Sequence, residues 1–104
     1  MHYKIRHFMS TVTTAGTRER LTTLDIKTPK VMLMAERSNT GYVYVGDNQV
    51  SSSSYGVDLA ATDSVVFTAQ DLGMASGDIL LSEIWLDVSV STDGVGVTYY
   101  ERIE

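Results

Sequence analysis

The sequence predicts an all-β protein, a single β-sandwich or jelly-roll domain of seven to eight short antiparallel strands. Short apolar runs alternate with polar residues at period two, which is typical of half-buried strands. Turn-forming residues separate these runs about every 8–12 residues, the spacing of sandwiches and barrels. No stretch of about ten residues keeps the 3.6-residue period of a helix. The 104 residues fit one domain.

Two segments carry hairpin signals. Residues 30–47 hold two apolar and β-branched runs on either side of a linker that contains Asn39 and Gly41. Both residue types tolerate positive φ, so this segment predicts a β-hairpin. Residues 79–90 predict one long half-buried strand, and Asp93-Gly94 then precedes a second alternating run. Asp-Gly between two such runs is a strong hairpin signal and predicts the second hairpin.

The remaining elements are shorter. Residues 3–9 alternate and predict a strand, one face of which carries Tyr3, Ile5, His7 and Met9. Residues 10–17 either extend this strand or form a loop or arm. Residues 18–26 predict an irregular strand, because two threonines outweigh an ambiguous apolar pattern. Residues 64–68 predict a strand, and residues 69–77 predict a loop.

Charge is distributed unevenly along the chain, whose net charge is −5. Residues 1–40 carry seven basic and three acidic groups, a charge of +4, whereas residues 41–104 carry one basic and ten acidic groups, a charge of −9. This asymmetry favours oriented docking between a basic and an acidic face. Interleaving of distant strands, which is common in β-sandwiches, would instead mix the charges on the surface. The sequence alone leaves both readings open.

Patterns for catalysis or metal binding are missing from the sequence. His2 and His7 are five residues apart, so a strand directs them to opposite faces. Aspartates in predicted loops fit ordinary turn chemistry better than a Ca²⁺ site, because no 12-residue loop pattern is present; they are Asp47, Asp58, Asp63, Asp71 and Asp78. No nucleophile-elbow motif and no paired acid and base stand out. We expect no enzyme, no metal and no cofactor.

Composition also limits the cellular compartment in which the chain is expected and the classes of partner that it is expected to bind. There is no cysteine, and the longest apolar run has five residues, far below the about 20 of a membrane span. A signal peptide needs a longer apolar core too, so we expect synthesis in the cytoplasm and no membrane partner. Basic residues at 18, 20, 27 and 30 form only a weak patch on an acidic chain, so nucleic-acid binding is not expected.

Aromatic side chains form the most informative remaining set. Tyr42, Tyr44, Trp85 and Tyr100 alternate with apolar residues along predicted strands. Exposed aromatics mark partner surfaces or the stacking platforms of carbohydrate-binding modules. Burial at the margins of a two-layer sandwich would explain the same pattern. Both readings stay open at this stage.

The order of strands and turns over residues 31–101 resembles that of small virion proteins of tailed bacteriophages. The resemblance is carried by the runs GYVYVGDNQV at 41–50, GVDLAA at 56–61, SVVF at 64–67, EIWL at 83–86 and STDGVGVTYY at 91–100. These follow the order VYVG-D-x-x-V, G-x-x-L, D-S-V-x-F, I-W-V and S-x-D-G-V-x-V-x-Y of such proteins, with Leu86 at the position of the valine in I-W-V. It is a pattern of strands and turns, and it contains no catalytic signature.

The resemblance implies a β-sandwich or jelly-roll module used on capsids and tails. We expect a capsid decoration protein that binds the outer surface of the major capsid protein lattice as a homo-oligomer, with a trimer favoured. Residues 31–104 would form the core, and the basic segment 1–30 would make attachment or inter-subunit contacts. The expected partner-binding residues are Arg6, Arg18, Arg20, Lys27, Lys30 and Tyr44. The alternatives are a head–tail connector, tail or fibre component and a carbohydrate-binding module.

Overall fold

The computed structural model describes residues 2–69 and 78–103. Apart from a 3₁₀ turn at Leu81–Glu83, the regular elements of these residues are strands. The strands are β1 (His2–Thr11), β2 (Glu19–Arg20), β3 (Lys27–Thr28), β4 (Lys30–Ala35), β5 (Val43–Gly46), β6 (Val57–Leu59), β7 (Ser64–Thr68), β8 (Ile79–Leu80), β9 (Trp85–Val88) and β10 (Gly94–Ile103). The described part of the chain contains no helix long and apolar enough to cross a membrane. The predicted all-β class is confirmed.

The strands form two four-stranded sheets and one two-stranded sheet, and every pairing is antiparallel. Sheet A has the order β1-β10-β4-β7, sheet B has the order β2-β9-β5-β6, and the small third sheet joins β3 to β8. More strands are present than the seven or eight expected. Three of them have only two residues, which is too short for a period-two pattern to reveal.

One hydrophobic cluster holds the buried faces of sheets A and B together. Period-two alternation builds it: in β4, Val31, Leu33 and Ala35 are fully buried, whereas Met34 between them is exposed. Val43 in β5 and Leu59 in β6 belong to the same cluster from sheet B. Each buried Leu or Val contributes roughly 1.5–3 kcal/mol relative to an exposed one.

Both predicted hairpins are wrong. The strand β4 pairs with β10 and β7 in sheet A, whereas β5 pairs with β9 and β6 in sheet B. Likewise β9 lies in sheet B and β10 in sheet A. Each supposed hairpin turn is therefore a link that carries the chain from one sheet to the other.

The two inter-sheet links are hydrogen-bonded to each other. The Asn39 side chain donates to the carbonyl of Gly94 at 2.8 Å and accepts from the Gly94 N–H at 3.1 Å. The Asp93 carboxylate accepts from the backbone N–H groups of Thr40 at 3.2 Å and Gly41 at 2.9 Å. Asn39 and Asp93 are both buried. Residues that resemble turn formers in sequence thus fix how the two sheets are joined.

Residues 2–30 contribute β1, β2, β3 and the first residue of β4 to the sheets. The strand β1 pairs with β10 along its whole length, from His2 opposite Ile103 to Thr11 opposite Gly94. Val12 and Leu21 lie in the shared core. The predicted strand at residues 3–9 is confirmed and is longer than expected. The attachment role of residues 1–30, and the division from 31–104 on that ground, stay predictions.

Several shorter predictions have mixed outcomes. The strand at residues 64–68 is confirmed as β7. The single strand over residues 79–90 is wrong, because the 3₁₀ turn separates β8 from β9. In residues 18–26 only β2 is extended in a sheet. Of the loop predicted at 69–77, all but Ala69 lies outside the described residues.

Candidate functional site

The outer face of sheet A is the candidate site. Because Val31, Leu33, Val95 and Val97 point into the core, the residues between them point outward. The outward side chains are Tyr3, Ile5, His7 and Met9 of β1, Thr98, Tyr100 and Arg102 of β10, Lys30, Met32 and Met34 of β4, and Ser64, Val66 and Thr68 of β7. Gly96 adds a position with no side chain. We call this surface the docking face.

Exposed apolar surface is concentrated on the docking face. Among the described residues nine large apolar side chains are exposed, and five of them belong to this face: Tyr3, Ile5, Met9, Met34 and Val66. Ile5 is 65% exposed and Met9 is 60% exposed. Single exposed apolar residues are normal, but a contiguous group marks an interaction surface. The group here comes from β1, β4 and β7, three of the four strands of sheet A.

A shallow hollow of about 220 Å³ lies in the middle of the docking face. Met9, Met32 and Met34 line it together with His7. The hollow exists because Gly96 lacks a side chain: a Cβ there would lie 3.6 Å from the Met9 sulfur. Methionine side chains are flexible and polarizable, so such a hollow adapts to the shape of an apolar group from a partner.

One end of the docking face carries a row of two aromatic rings with a cation at each end. The Lys30 ammonium lies 6.0 Å from the Tyr100 ring centre, and Tyr100 and Tyr3 meet edge to face at 6.4 Å. The Arg102 guanidinium lies 6.0 Å from the Tyr3 ring and forms an ion pair with Asp78. The hydrogen bond that the Arg102 guanidinium donates to the Asp78 carboxylate raises the pKa of Arg102. These contacts position two tyrosines and two cations on a fixed sheet.

Charge on the docking face has one sign. Its charged side chains are Lys30 and Arg102, and none of the outward positions in β1, β10, β4 and β7 is acidic. The carboxylate of Asp78 forms an ion pair with Arg102 and compensates its charge. The whole chain nevertheless carries −5. Folding has therefore separated an apolar, mildly basic face from the acidic groups.

The predicted partner-binding residues do not come together. Lys30 lies on the docking face, and Arg6 lies on the opposite side of β1, 3.4 Å from Glu101. Lys27 is exposed on the small third sheet. The other three lie toward sheet B: Arg18 lines a polar hollow beside Trp85, Arg20 lies over the Trp85 ring, and Tyr44 lies against Tyr55.

Of the four aromatics proposed as a carbohydrate platform, three are divided between the two sheets, and exposed Tyr42 lies just before β5. Tyr100 lies on the docking face, whereas Tyr44 and Trp85 point outward from sheet B. The Arg20 guanidinium lies 5.2 Å above the Trp85 ring, and Tyr55 lies 5.1 Å from Tyr44. The exposed surface of both rings on sheet B is thus partly occupied by the chain itself.

The outer face of sheet B is also partly covered by a loop. The Gly16 N–H donates to the Asp87 carboxylate at 3.0 Å, and Asp87 is only 2% exposed although it points outward. Ala15 is held beside it by a hydrogen bond to the Ser91 hydroxyl at 3.0 Å. No segment among residues 2–69 and 78–103 covers sheet A in this way, to judge from the exposure of Ile5 and Met9.

Ionisable side chains do not gather into a metal site in the described residues, where no group of three or more His, Cys, Asp or Glu side chains occurs. His2 and His7 lie on opposite faces of β1, as their spacing predicts. Asp47 accepts from the Gln49 N–H and Asp63 accepts from the Ala60 N–H, both ordinary turn bonds. Asp71 lies outside the described residues.

A larger cleft of about 510 Å³ opens at one margin of the core. Its lining includes Val57, Phe67, Ile79 and Ile84. The same four side chains pack against the core cluster. The cleft is therefore an uncovered margin of the core, and its walls show no pattern of polar groups that names a class of ligand.

Sequence reasoning missed most of the docking face. The alternation of Tyr3, Ile5 and Met9 was visible, but a period-two pattern does not say which side of a strand is buried. In the sequence, the methionines of β4 lie within a continuous apolar run, which hides their outward direction. Met32 and Met34 alternate with Val31 and Leu33, which are fully buried. Because methionine is favoured at adaptable binding surfaces, this alternation is the sequence signal that indicates the docking face.

Comparison with protein-family models and with curated proteins found no match for this chain.

Proposed function

We propose that this chain is a structural protein of a tailed bacteriophage, a capsid decoration protein that binds the outer surface of the major capsid lattice. It works by binding alone and acts in the virion as a homo-oligomer. The observation that carries the proposal is the docking face, an exposed apolar surface on a rigid sheet. The resemblance of the chain's strand and turn order to small virion proteins is the reason for proposing a role in the virion.

The composition of the docking face fits a protein partner. Interface centres are enriched in tyrosine, methionine and arginine and depleted of acidic residues. The face presents two tyrosines, three methionines and one arginine, without an acidic side chain on its outward strand positions. Residues of this kind carry much of the binding free energy where they are held in fixed positions. The aromatic and cationic row around Tyr3 and Tyr100 provides such positions.

Charge gives the expected chemistry of the partner surface. Lys30 and Arg102 are the cations of the docking face, while the rest of the chain is acidic. A shell surface with apolar groups surrounded by carboxylates would attract this face. Complementary charge therefore orients the protein as it meets the lattice. The same pattern makes binding to nucleic acid unfavourable for most of the surface.

Location within the particle distinguishes the two virion roles. A decoration protein occupies a repeated lattice, whereas a connector or tail component occupies a ring of roughly a dozen copies or fewer. The carbohydrate-binding role is supported less well, because Arg20 lies over Trp85 and Tyr100 belongs to the other sheet. The lattice role remains the proposal, and the number of copies per particle tests it against a connector or tail role.

The substitution Met34→Glu tests the docking face. Met34 is 39% exposed, so glutamate is expected to leave the fold intact while it places a carboxylate where the partner is expected to be acidic and apolar. We expect the affinity for particles that lack the chain to fall about tenfold or more, which corresponds to about 1.4 kcal/mol. Bound copies per particle, measured against protein concentration, give the affinity.

The matched control is Val90→Glu. Val90 is 40% exposed, almost the same as Met34, but it lies in the link before β10 and away from the docking face. We expect this variant to bind particles as the unchanged protein does. Equal losses in both variants, or no loss in either, would contradict the assignment of the face.

A further inference from the structure

The outer edge of β1 is the longest exposed strand edge in the described residues. The strand lies at the end of sheet A, and β10 is its partner on one side only. Residues 2–7 are exposed on both faces of the strand. An edge of this kind presents a row of unpaired N–H and C=O groups that a further strand can bind.

The neighbouring bonds show which backbone groups of β1 point away from the sheet. The N–H and C=O of Gly94 bond toward the β4 side, to Asn39 and to the N–H of Glu36. The N–H and C=O of Tyr100 bond to the same side, to the hydroxyl of Thr28. Bonding direction alternates along a strand, so Val95 and every second residue after it bond to β1.

The register then assigns the free groups of β1. Val95 is opposite Ser10, and the even-numbered residues of β1 therefore bond to β10. The odd-numbered residues direct their N–H and C=O to the free edge; they are Tyr3, Ile5, His7, Met9 and Thr11. Three of them, Tyr3, Ile5 and Met9, also provide exposed apolar side chains of the docking face.

Charge selects one register for pairing of β1 with a copy of itself. In two antiparallel registers the free backbone N–H and C=O groups of one copy face those of the other, and nine residues overlap. One register is centred on Arg6 and the other on His7. The first places the two Arg6 guanidinium groups directly opposite each other, which is unfavourable. The second places Arg6 opposite Phe8 and Lys4 opposite Ser10, so no like charges face each other.

The second register also matches apolar side chains. It places Ile5 opposite Met9 on the docking face and Tyr3 opposite Thr11. Arg6 opposite Phe8 brings a cation to an aromatic ring. Glu101, which is 3.4 Å from Arg6 in the same chain, reduces the repulsion between the two basic strands. The edge is therefore complementary to itself in this register.

We propose that two copies of this chain pair through β1 across a two-fold axis at His7 and form one continuous eight-stranded sheet. The pairing joins two docking faces into one surface. It closes at two copies, so it replaces the trimer expected from the sequence. The proposal deepens the proposed function by naming the self-association surface, but it is tested on the purified protein, without particles.

Single cysteines test the register, because the natural chain contains none. In the proposed dimer the two copies of residue 7 are directly opposite, with Cα atoms about 5.5 Å apart. A disulfide spans about 4.4–6.8 Å between Cα atoms. We expect His7→Cys to form a disulfide-linked dimer under mild oxidation, in a yield far above that of the control.

The control is Ile5→Cys, whose side chain is also exposed and on the same face of β1. Its two copies would be about 14 Å apart in this register, because residue 5 faces residue 9. We expect it to stay largely unlinked, whereas the double variant Ile5→Cys with Met9→Cys should link. Equal linkage of the two single variants, or efficient linkage at residue 5 alone, would overturn the register.

The mass of the unmodified protein in solution tests the pairing itself. Light scattering or sedimentation at micromolar concentration is expected to give a dimer. Ile5→Pro removes one free N–H without removing a bond to β10, so it should give a folded monomer, while Ile5→Thr keeps the N–H and should stay dimeric. A monomeric unmodified protein, or a trimer, would overturn the proposal. Particle binding by that protein would leave the proposed function standing.

Discussion

Gly94→Ala is expected to lower the free energy of unfolding by about 3 kcal/mol or more. A Cβ at this position would lie 2.3 Å from the Ser10 carbonyl oxygen and 2.9 Å from the Thr11 Cα. Both are backbone atoms of β1, which cannot move without breaking its pairing with β10. Chemical denaturation followed by circular dichroism measures the change.

Gly96→Ala is the matched control, two residues further along the same strand. Its Cβ would meet the Met9 sulfur at 3.6 Å, which is ordinary van der Waals contact with a flexible side chain. We expect a change below about 1 kcal/mol for this variant. Equal stability of the two variants would contradict the close approach of β1 to Gly94.

Asp93→Ala is expected to destabilise the protein by about 3 kcal/mol. The Asp93 carboxylate accepts from the N–H groups of Thr40 and Gly41 and is only 5% exposed. Bonds to a charged group contribute about 1.5–3 kcal/mol each, and the variant leaves two donors without this acceptor. The loss loosens the junction of both inter-sheet links, so we expect a lower midpoint in thermal and chemical unfolding.

The comparison variant for Asp93 is Asp47→Ala. Asp47 is exposed and accepts one turn bond, from the Gln49 N–H at 2.9 Å. We expect this change to cost less than about 1 kcal/mol. A similar loss at both positions would show that Asp93 acts as an ordinary turn residue.

The all-β class and several strands were predictable because period-two alternation reflects the extended geometry of a strand. The strands β1 and β7 follow from their patterns, and β4 follows from a run that includes Val31 and Leu33. Such patterns reflect local geometry, which a single strand already carries. They do not show which strand each strand pairs with.

The pairing of strands could not be predicted, because the residues that resemble hairpin turns serve close packing instead. Gly94 has no positive φ, and its small size serves the close approach of Ser10. Gly41 likewise leaves room for Ser89 and Val90, since a Cβ there would lie 2.2 Å from the Ser89 hydroxyl oxygen. The reversal before β10 uses Thr92 at φ 73°, a residue that turn statistics disfavour.

The docking face was hidden from the sequence for a related reason. Its residues come from four strands that are far apart in the chain, between Tyr3 and Arg102. Only the sheet order places Met9 beside Met34, across Gly96. The basic residues chosen from the sequence share a charge but not a surface, and Lys30 alone lies on the face.

A density map of the intact phage particle tests the central claim most directly, because it shows both the number of copies and their orientation. The account predicts density for this fold repeated over the shell in hundreds of copies, with Met34 and Tyr100 of the docking face against the major capsid protein. A ring of roughly a dozen copies or fewer, or a docking face turned toward solvent, would contradict it.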